Sequence, residues 1–177
     1  HIGKEIGYSF NFKLYPWKRA YSYILEGKGA ALGFSKNSER LKIFDYSDVM
    51  FYDDILIVVK KGNEFPFEKL EDLKGKNLSV IRGASYGDEF DKASKNIFKP
   101  SFTVTSTQQL KMVLYNRVDA AVIGPGKLGL LMTLKQESEL FKNRDQFTVL
   151  PTPMIRDPNY LGILKTSQKK EFLKKLL

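Results

Sequence analysis

The sequence predicts an α/β protein, and three observations carry that prediction. Short apolar runs alternate with helix-period segments along most of the chain. Glycine or proline punctuates most of the changes from one to the other. One run, residues 55–59, is continuously apolar, as in a strand buried on both faces. With 177 residues the chain can bury a core as one domain or as two small lobes.

In order along the chain, Tyr8, Phe10, Phe12 and Leu14 alternate with Ser9, Asn11 and Lys13, the pattern of a half-buried strand at 8–15. Pro16 suits the first turn of a helix. One face of that helix carries Trp17, Ala20, Tyr21, Ile24 and Leu25, and Gly27 ends it. A strand at 30–34 runs into a polar loop through Ser35 and Arg40, and the apolar strand 55–59 follows. Lys60-Lys61-Gly62-Asn63 and Pro66 form a polar break. A helical turn at 67–73 leads to a strand at 78–81. The glycine-bounded loop Arg82-Gly83-Ala84-Ser85-Tyr86-Gly87 then opens an acidic helix at Asp88-Glu89. After a short strand at 102–104, Thr105 or Ser106 caps a helix at 107–116 with Leu110, Val113 and Leu114 inward. A buried strand at 118–123 enters Gly124-Pro125-Gly126 and a helix with Leu128, Leu131 and Met132. Strands at 147–150 and 160–164 precede a closing helix at 167–177. The alternation of strand and helix predicts parallel sheets.

Bulk properties exclude several classes. Hydrophobic content of 42% and charged content of 28% are ordinary for a globular protein. No window approaches the ~20 apolar residues of a membrane span. The chain opens on His1-Ile2-Gly3-Lys4 with neither an initiator Met nor a signal segment, so processing or truncation upstream is expected. The absence of cysteine removes disulfides, thiolate metal sites and a Cys nucleophile. A lone histidine, His1, removes histidine metal sites and Ser-His triads. Neither a metal nor a cofactor is expected. The net charge of +9 comes from lysines mixed with acids, as in Lys69-Leu70-Glu71-Asp72-Leu73-Lys74. Lys169-Lys170 with Lys174-Lys175 has helical spacing, and no nucleic-acid recognition pattern is present. Nucleic acid is therefore not an expected partner. No carboxylate pair or histidine stands at a strand end, so no catalytic residue is nominated and no enzyme is expected.

Two places attract attention as binding sites. The Ser35 hydroxyl and the Arg40 guanidinium stand beyond the end of the 30–34 strand, where open α/β sheets bind ligands. Arginine offers a planar fork of donors matched to a carboxylate, although an exposed loop arginine reads the same way. Loop 82–87 places backbone N–H groups at a helix start, which favours anions. An ordinary capped βα turn fits it too, and it lacks the lysine and spacing of a P-loop.

Four blocks, in this order and spacing, resemble bacterial extracellular solute-binding proteins of family 3, the amino-acid-binding type. They are Pro16-Trp17-Lys18-Arg19-Ala20; Ser38-Glu39-Arg40 with Phe44-Asp45-Tyr46-Ser47-Asp48; Leu70 to Lys76 with Gly83-Ala84-Ser85-Tyr86-Gly87; and Arg117-Val118-Asp119-Ala120. The resemblance implies a type II periplasmic binding protein fold, two α/β lobes joined by a hinge. Lobe 1 would comprise residues 1–59 and 159–177, with its first strand and most of its first helix missing. Lobe 2 would comprise 60–158. Carried over by position, Ser35 and Arg40 would grip the ligand's α-carboxylate, with help from the Ser85 backbone. Trp17 would cover the ligand, Phe34 would line the same wall, and Arg82 and Tyr86 are adjacent. Core packing explains Trp17 as well, and a surface aromatic explains Tyr86.

The implied function is capture of a small polar solute, an amino acid or related carboxylate, for a membrane-embedded ABC permease. The implied setting is periplasmic or extracellular, with tethering to the membrane face compatible, and the expected state is a monomer. A sensor ectodomain of a membrane kinase or cyclase is the alternative. Two departures stand out. Gly124 occupies the place where the amino-acid binders carry an ammonium-binding Asp, leaving the missing N-terminal segment, another acid such as Asp88 or Glu89, or an ammonium-free ligand as alternatives. The turn Glu26-Gly27-Lys28-Gly29-Ala30 is shorter and richer in glycine than the family's. Arg40→Ala is expected to abolish binding and to spare the fold.

Overall fold

The computed structural model describes residue 7, residues 9–168 and residue 173. The chain forms two compact units, residues 1–51 with 158–177 and residues 52–157.

In the first unit, Pro16 O accepts from Arg19 N and Ala20 N and so starts α1 (Trp17–Leu25). Of the expected apolar face, Ile24 is buried but Leu25 is exposed. The unit's sheet is built on β8 (Ile155–Leu164), which pairs antiparallel with β1 (Ala31–Phe34) and β2 (Phe44–Tyr46). Gly162 is the register partner of both Ala31 and Tyr46. At Gly33, φ is +73°, and the pairing slips between Leu32 and Phe34. This bulge lets Ala31 and Phe34 both turn inward, which plain alternation would forbid, while Leu32 is exposed.

The first unit corrects two expectations. Residues 9–15 have no regular secondary structure, and Phe12 and Leu14 are 70% and 98% exposed; Tyr8 lies outside the described residues. Alternation marks which side chains share a face, but a strand also needs a partner, and none of the described strands pairs with this segment. The polar loop after β1 contains a short helix, α2 (Ser38–Ile43), because Asn37 Oδ1 accepts from Arg40 N at 2.8 Å and caps it. Six residues are too few to show a helical period. The closing helix expected at 167–177 falls largely outside the described residues.

The second unit is a sheet ordered β7 (Phe147–Val149), β3 (Phe51–Lys60), β6 (Ala120–Ile123), β4 (Asn77–Ile81) and β5 (Lys99–Thr103). Tyr52 onward of β3 belongs to this unit. The sheet is mixed rather than parallel: β4 runs parallel to β5 and β6, while β3 runs antiparallel to β6 and β7. Parallel neighbours need a crossover, and α3 (Asp88–Asn96) and α4 (Ser106–Leu114) supply the two between β4, β5 and β6. β3 leads the chain into the unit and has no such crossover to β6.

The continuous run in β3 is buried on both faces, as expected. Ile55, Ile57 and Val59 join a core with Leu78, Val80 and Phe90; Leu56 and Val58 join another with Leu110, Val113 and Ile123. α4 starts at Thr105, whose hydroxyl accepts from Gln108 N, and buries Leu110, Val113 and Leu114. On α5 (Gly126–Lys135) the buried positions are Gly129, Leu130, Thr133 and Leu134, whereas Leu128, Leu131 and Met132 are exposed. A short helix α6 (Ser138–Lys142) follows, which no sequence signal announced.

Candidate functional site

The first unit gathers Trp17, Phe34, Ser35 and Arg40 into one cluster. α2 begins immediately beyond the end of β1, so Arg40 folds back over the strand that carries Phe34 and Ser35. Its Nη1 donates to Ser35 O at 3.0 Å. Its guanidinium carbon lies 4.7 Å from the Phe34 ring centroid and 5.6 Å from those of Trp17 and Tyr21. Arg40 is 4% exposed and Ser35 5%, so the reading of Arg40 as a solvated loop residue is excluded. A guanidinium tolerates such burial because its planar face stacks on aromatic rings while its edge donates hydrogen bonds.

Phe34 is wholly buried and supports Arg40 from below. It meets Phe44 edge-on at 5.0 Å, stacks on Tyr46 at 5.4 Å and lies 5.8 Å from Trp17. Trp17 packs against the core ring Phe34, as its core reading expects, and also lies beside Arg40. Lys36, which the sequence did not single out, holds its Nζ 3.7 Å from the Tyr160 ring centroid and 5.3 Å from that of Tyr46. Among the described residues the buried Tyr46 hydroxyl has no hydrogen-bond partner, and burial pushes its pKa well up. Two cations, the buried Arg40 and the half-buried Lys36, thus lie over an aromatic floor in this unit.

In the second unit, Arg82, Ser85 and Tyr86 sit on the loop between β4 and α3. Arg82 N donates to Thr103 O at 2.8 Å, and Arg82 itself is exposed. Ser85 is buried, and its hydroxyl donates to Asp91 Oδ2 at 2.7 Å and accepts from Gly87 N at 3.4 Å. Tyr86 packs edge-on against Phe90 at 4.9 Å, at the border of the core. Its reading as a simple surface aromatic therefore does not hold. Asp88, Glu89 and Asp91 occupy the first turn of α3 and complement its dipole with the chain's own charge. Among the described residues no cluster of His, Cys, Asp and Glu suits a metal ion, and no helix is long and apolar enough to cross a membrane.

No protein-family model matches the sequence, and no curated protein matches it. Solved structures do. The chain aligns over 99% of its length with an ancestral arginine-binding protein bound to arginine, at 26% identity and a TM-score of 0.75, covering 74% of that chain. It aligns equally fully with the substrate binding protein of an amino acid ABC transporter, at 21% identity and a TM-score of 0.71, again covering 74%. The fold is that of a type II periplasmic binding protein. The GluR0 ligand binding core in complex with L-glutamate shares this type II fold, at 14% identity and a TM-score of 0.74, with 77% of that chain covered. Structural neighbours of this type II chain are thus substrate-binding proteins of amino-acid transporters, together with a ligand binding core.

Proposed function

We propose that the chain captures a small polar solute, an amino acid or related carboxylate, reversibly and without chemical conversion. The observation that carries this reading is Arg40, buried on an aromatic floor at the end of β1 in a fold whose neighbours are amino-acid-binding proteins. A guanidinium already stripped of water and fixed by Ser35 O loses little freedom on meeting a carboxylate, and a charge-assisted fork is the strong form of that contact. Trp17 covers the carboxylate end of the solute and Phe34 supports the arginine. The solute passes to a membrane-embedded ABC permease at the outer face of the cytoplasmic membrane, with the binding protein acting as a monomer.

A second reading is a ligand-sensing ectodomain of a membrane kinase or cyclase, favoured by the likeness to the GluR0 ligand binding core. A thermal-shift screen with amino acids, small carboxylates and oligopeptides tests the shared premise. A ligand that binds only the folded state raises the transition midpoint with the logarithm of its concentration. A rise with an amino acid or small carboxylate, and an unchanged compound afterwards by NMR, supports capture. A flat response across the panel, or release of a product, overturns it.

A further inference from the structure

Lys36 lies in the link between β1 and α2, a few positions before Arg40, and both long basic side chains fold back over the same strands. Phe34 stacks on Tyr46 at 5.4 Å, and Tyr46 meets Tyr160 edge-on at 5.7 Å, so the three rings form one row. Arg40 stands over the Phe34 end of the row at 4.7 Å. Lys36 stands over the Tyr160 end, its Nζ 3.7 Å from the ring centroid.

Among the described residues the Lys36 ammonium has these ring contacts but neither a hydrogen bond nor an ion pair. The three rings and the two basic residues above them include no acid. Glu39, the acid between Lys36 and Arg40 in the chain, is drawn off to Lys42 at 2.6 Å on the exposed side of α2. A ring face attracts an ammonium through its quadrupole without neutralising it. Two cations on one half-dry floor repel each other, and an anion that reaches both relieves that repulsion.

We propose that Lys36 is a specificity-determining residue of the Arg40 site, a second anion contact that selects a dicarboxylate over a solute with one carboxylate. This role rests on the capture of a carboxylate at Arg40. The Arg40 fork takes one carboxylate, and Lys36, a compact charge on a flexible stem, leaves the Tyr160 ring for the other. A solute with a cationic side chain would meet Lys36 as a like charge. Arginine, bound by the similar ancestral protein, is therefore disfavoured here.

The test titrates the full chain by calorimetry with succinate and glutarate, with the monoamide of each, and with L-glutamine and L-arginine. Each monoamide keeps the size of its parent acid and loses one charge. At least one dicarboxylate is expected to bind about tenfold more tightly than its monoamide, the scale of a charge-assisted contact. Lys36→Met keeps the stem and should collapse that ratio towards one, as should Lys36→Gln, which keeps the test open if either variant misfolds. Lys36→Arg should restore most of the ratio. A lysine that serves only to pack on Tyr160 would lower the melting temperature on substitution and leave the ratio intact, which overturns the proposal. A parent chain that binds glutamine, arginine or the monoamides at least as well as the dicarboxylates overturns the role of Lys36 and leaves capture standing. Silence with all six compounds overturns both.

Discussion

The guanidinium of Arg40 lies 4.7 Å from the centroid of the Phe34 ring, and both residues are buried, at 4% and 0% exposure. A residue expected to act only on ligand is therefore also part of the first unit's core. Its long stem and planar head fill space between Trp17, Tyr21 and Phe34.

Arg40→Ala should accordingly cost stability as well as binding, contrary to the expectation that it spares the fold. The loss should be about 2–4 kcal/mol by urea denaturation, as for other large buried side chains. Arg40→Lys keeps the stem and the charge but not the fork, so it should unfold closer to the parent while binding an amino-acid probe at least about tenfold more weakly by calorimetry. Parent-like affinity in the lysine variant would remove Arg40 from the binding site.

Gly162 is predicted to be intolerant of any side chain. An added Cβ would collide with Phe34 Cδ1 and stand 3.0 Å from Cε1. Gly162→Ala must push the ring that supports Arg40, at a cost of about 1–3 kcal/mol for overpacking. The chain's single tryptophan, Trp17, lies 5.8 Å from that ring, so its fluorescence should change in the variant. An unaltered spectrum with an unaltered melting temperature would show that the ring has room to move.

In the second unit Gln109 ties two strands to α4. Its Nε2 donates to Ser79 O and to Val122 O, both at 2.8 Å, from a position with no solvent exposure. Gln109→Leu retains the volume and removes both bonds, so stability should fall by about 2–4 kcal/mol, since buried carbonyls lose partners. Hydrogen exchange should quicken in β4 and β6 while β7 changes least. A loss below about 0.5 kcal/mol, the scale of an exposed substitution, would contradict the bridging role.

Asp72 predicts a pH dependence. Its carboxylate accepts from Glu68 N at 2.8 Å and Lys69 N at 3.0 Å, and these bonds hold its pKa below the usual carboxylate value. A lowered folded-state pKa stabilises the fold above the ordinary carboxylate pKa and ceases to do so as pH falls through the lowered value. The stability gap between the parent and Asp72→Ala should be widest at neutral pH and close on acidification. Urea midpoints that differ by the same amount at every pH would refute this.

Much of the fold was legible because its signals are local. Thr105 and the 110, 113, 114 spacing marked α4, and five consecutive apolar residues marked the centre of β3. α2 was not legible, since one capping bond at Asn37 makes a helix too short to show a period. In α5 the sequence GKLGLLMTLK is apolar nearly all round, so it does not say that Leu130 and Leu134 face inward rather than Leu128 and Met132. Segment 9–15 carried a strand's alternation without a strand's partner.

For the site, the residue types at Ser35 and Arg40 pointed to an anion before any coordinates. Lys36 and Tyr46 did not stand out, because each is ordinary beside its own neighbours in the chain.

The sequence by itself determined the α/β class, most element positions, the Thr105 cap of α4, and the absence of thiol and imidazole chemistry outside position 1. Only the tertiary structure decided the mixed strand directions, the burial of Arg40, and the row of rings that Arg40 shares with Lys36. The physical reason is range. Caps, turns and periodicity act over three or four residues, whereas a guanidinium's or an ammonium's partners include residues tens of positions away, and their free energy exists only once the chain has brought them together.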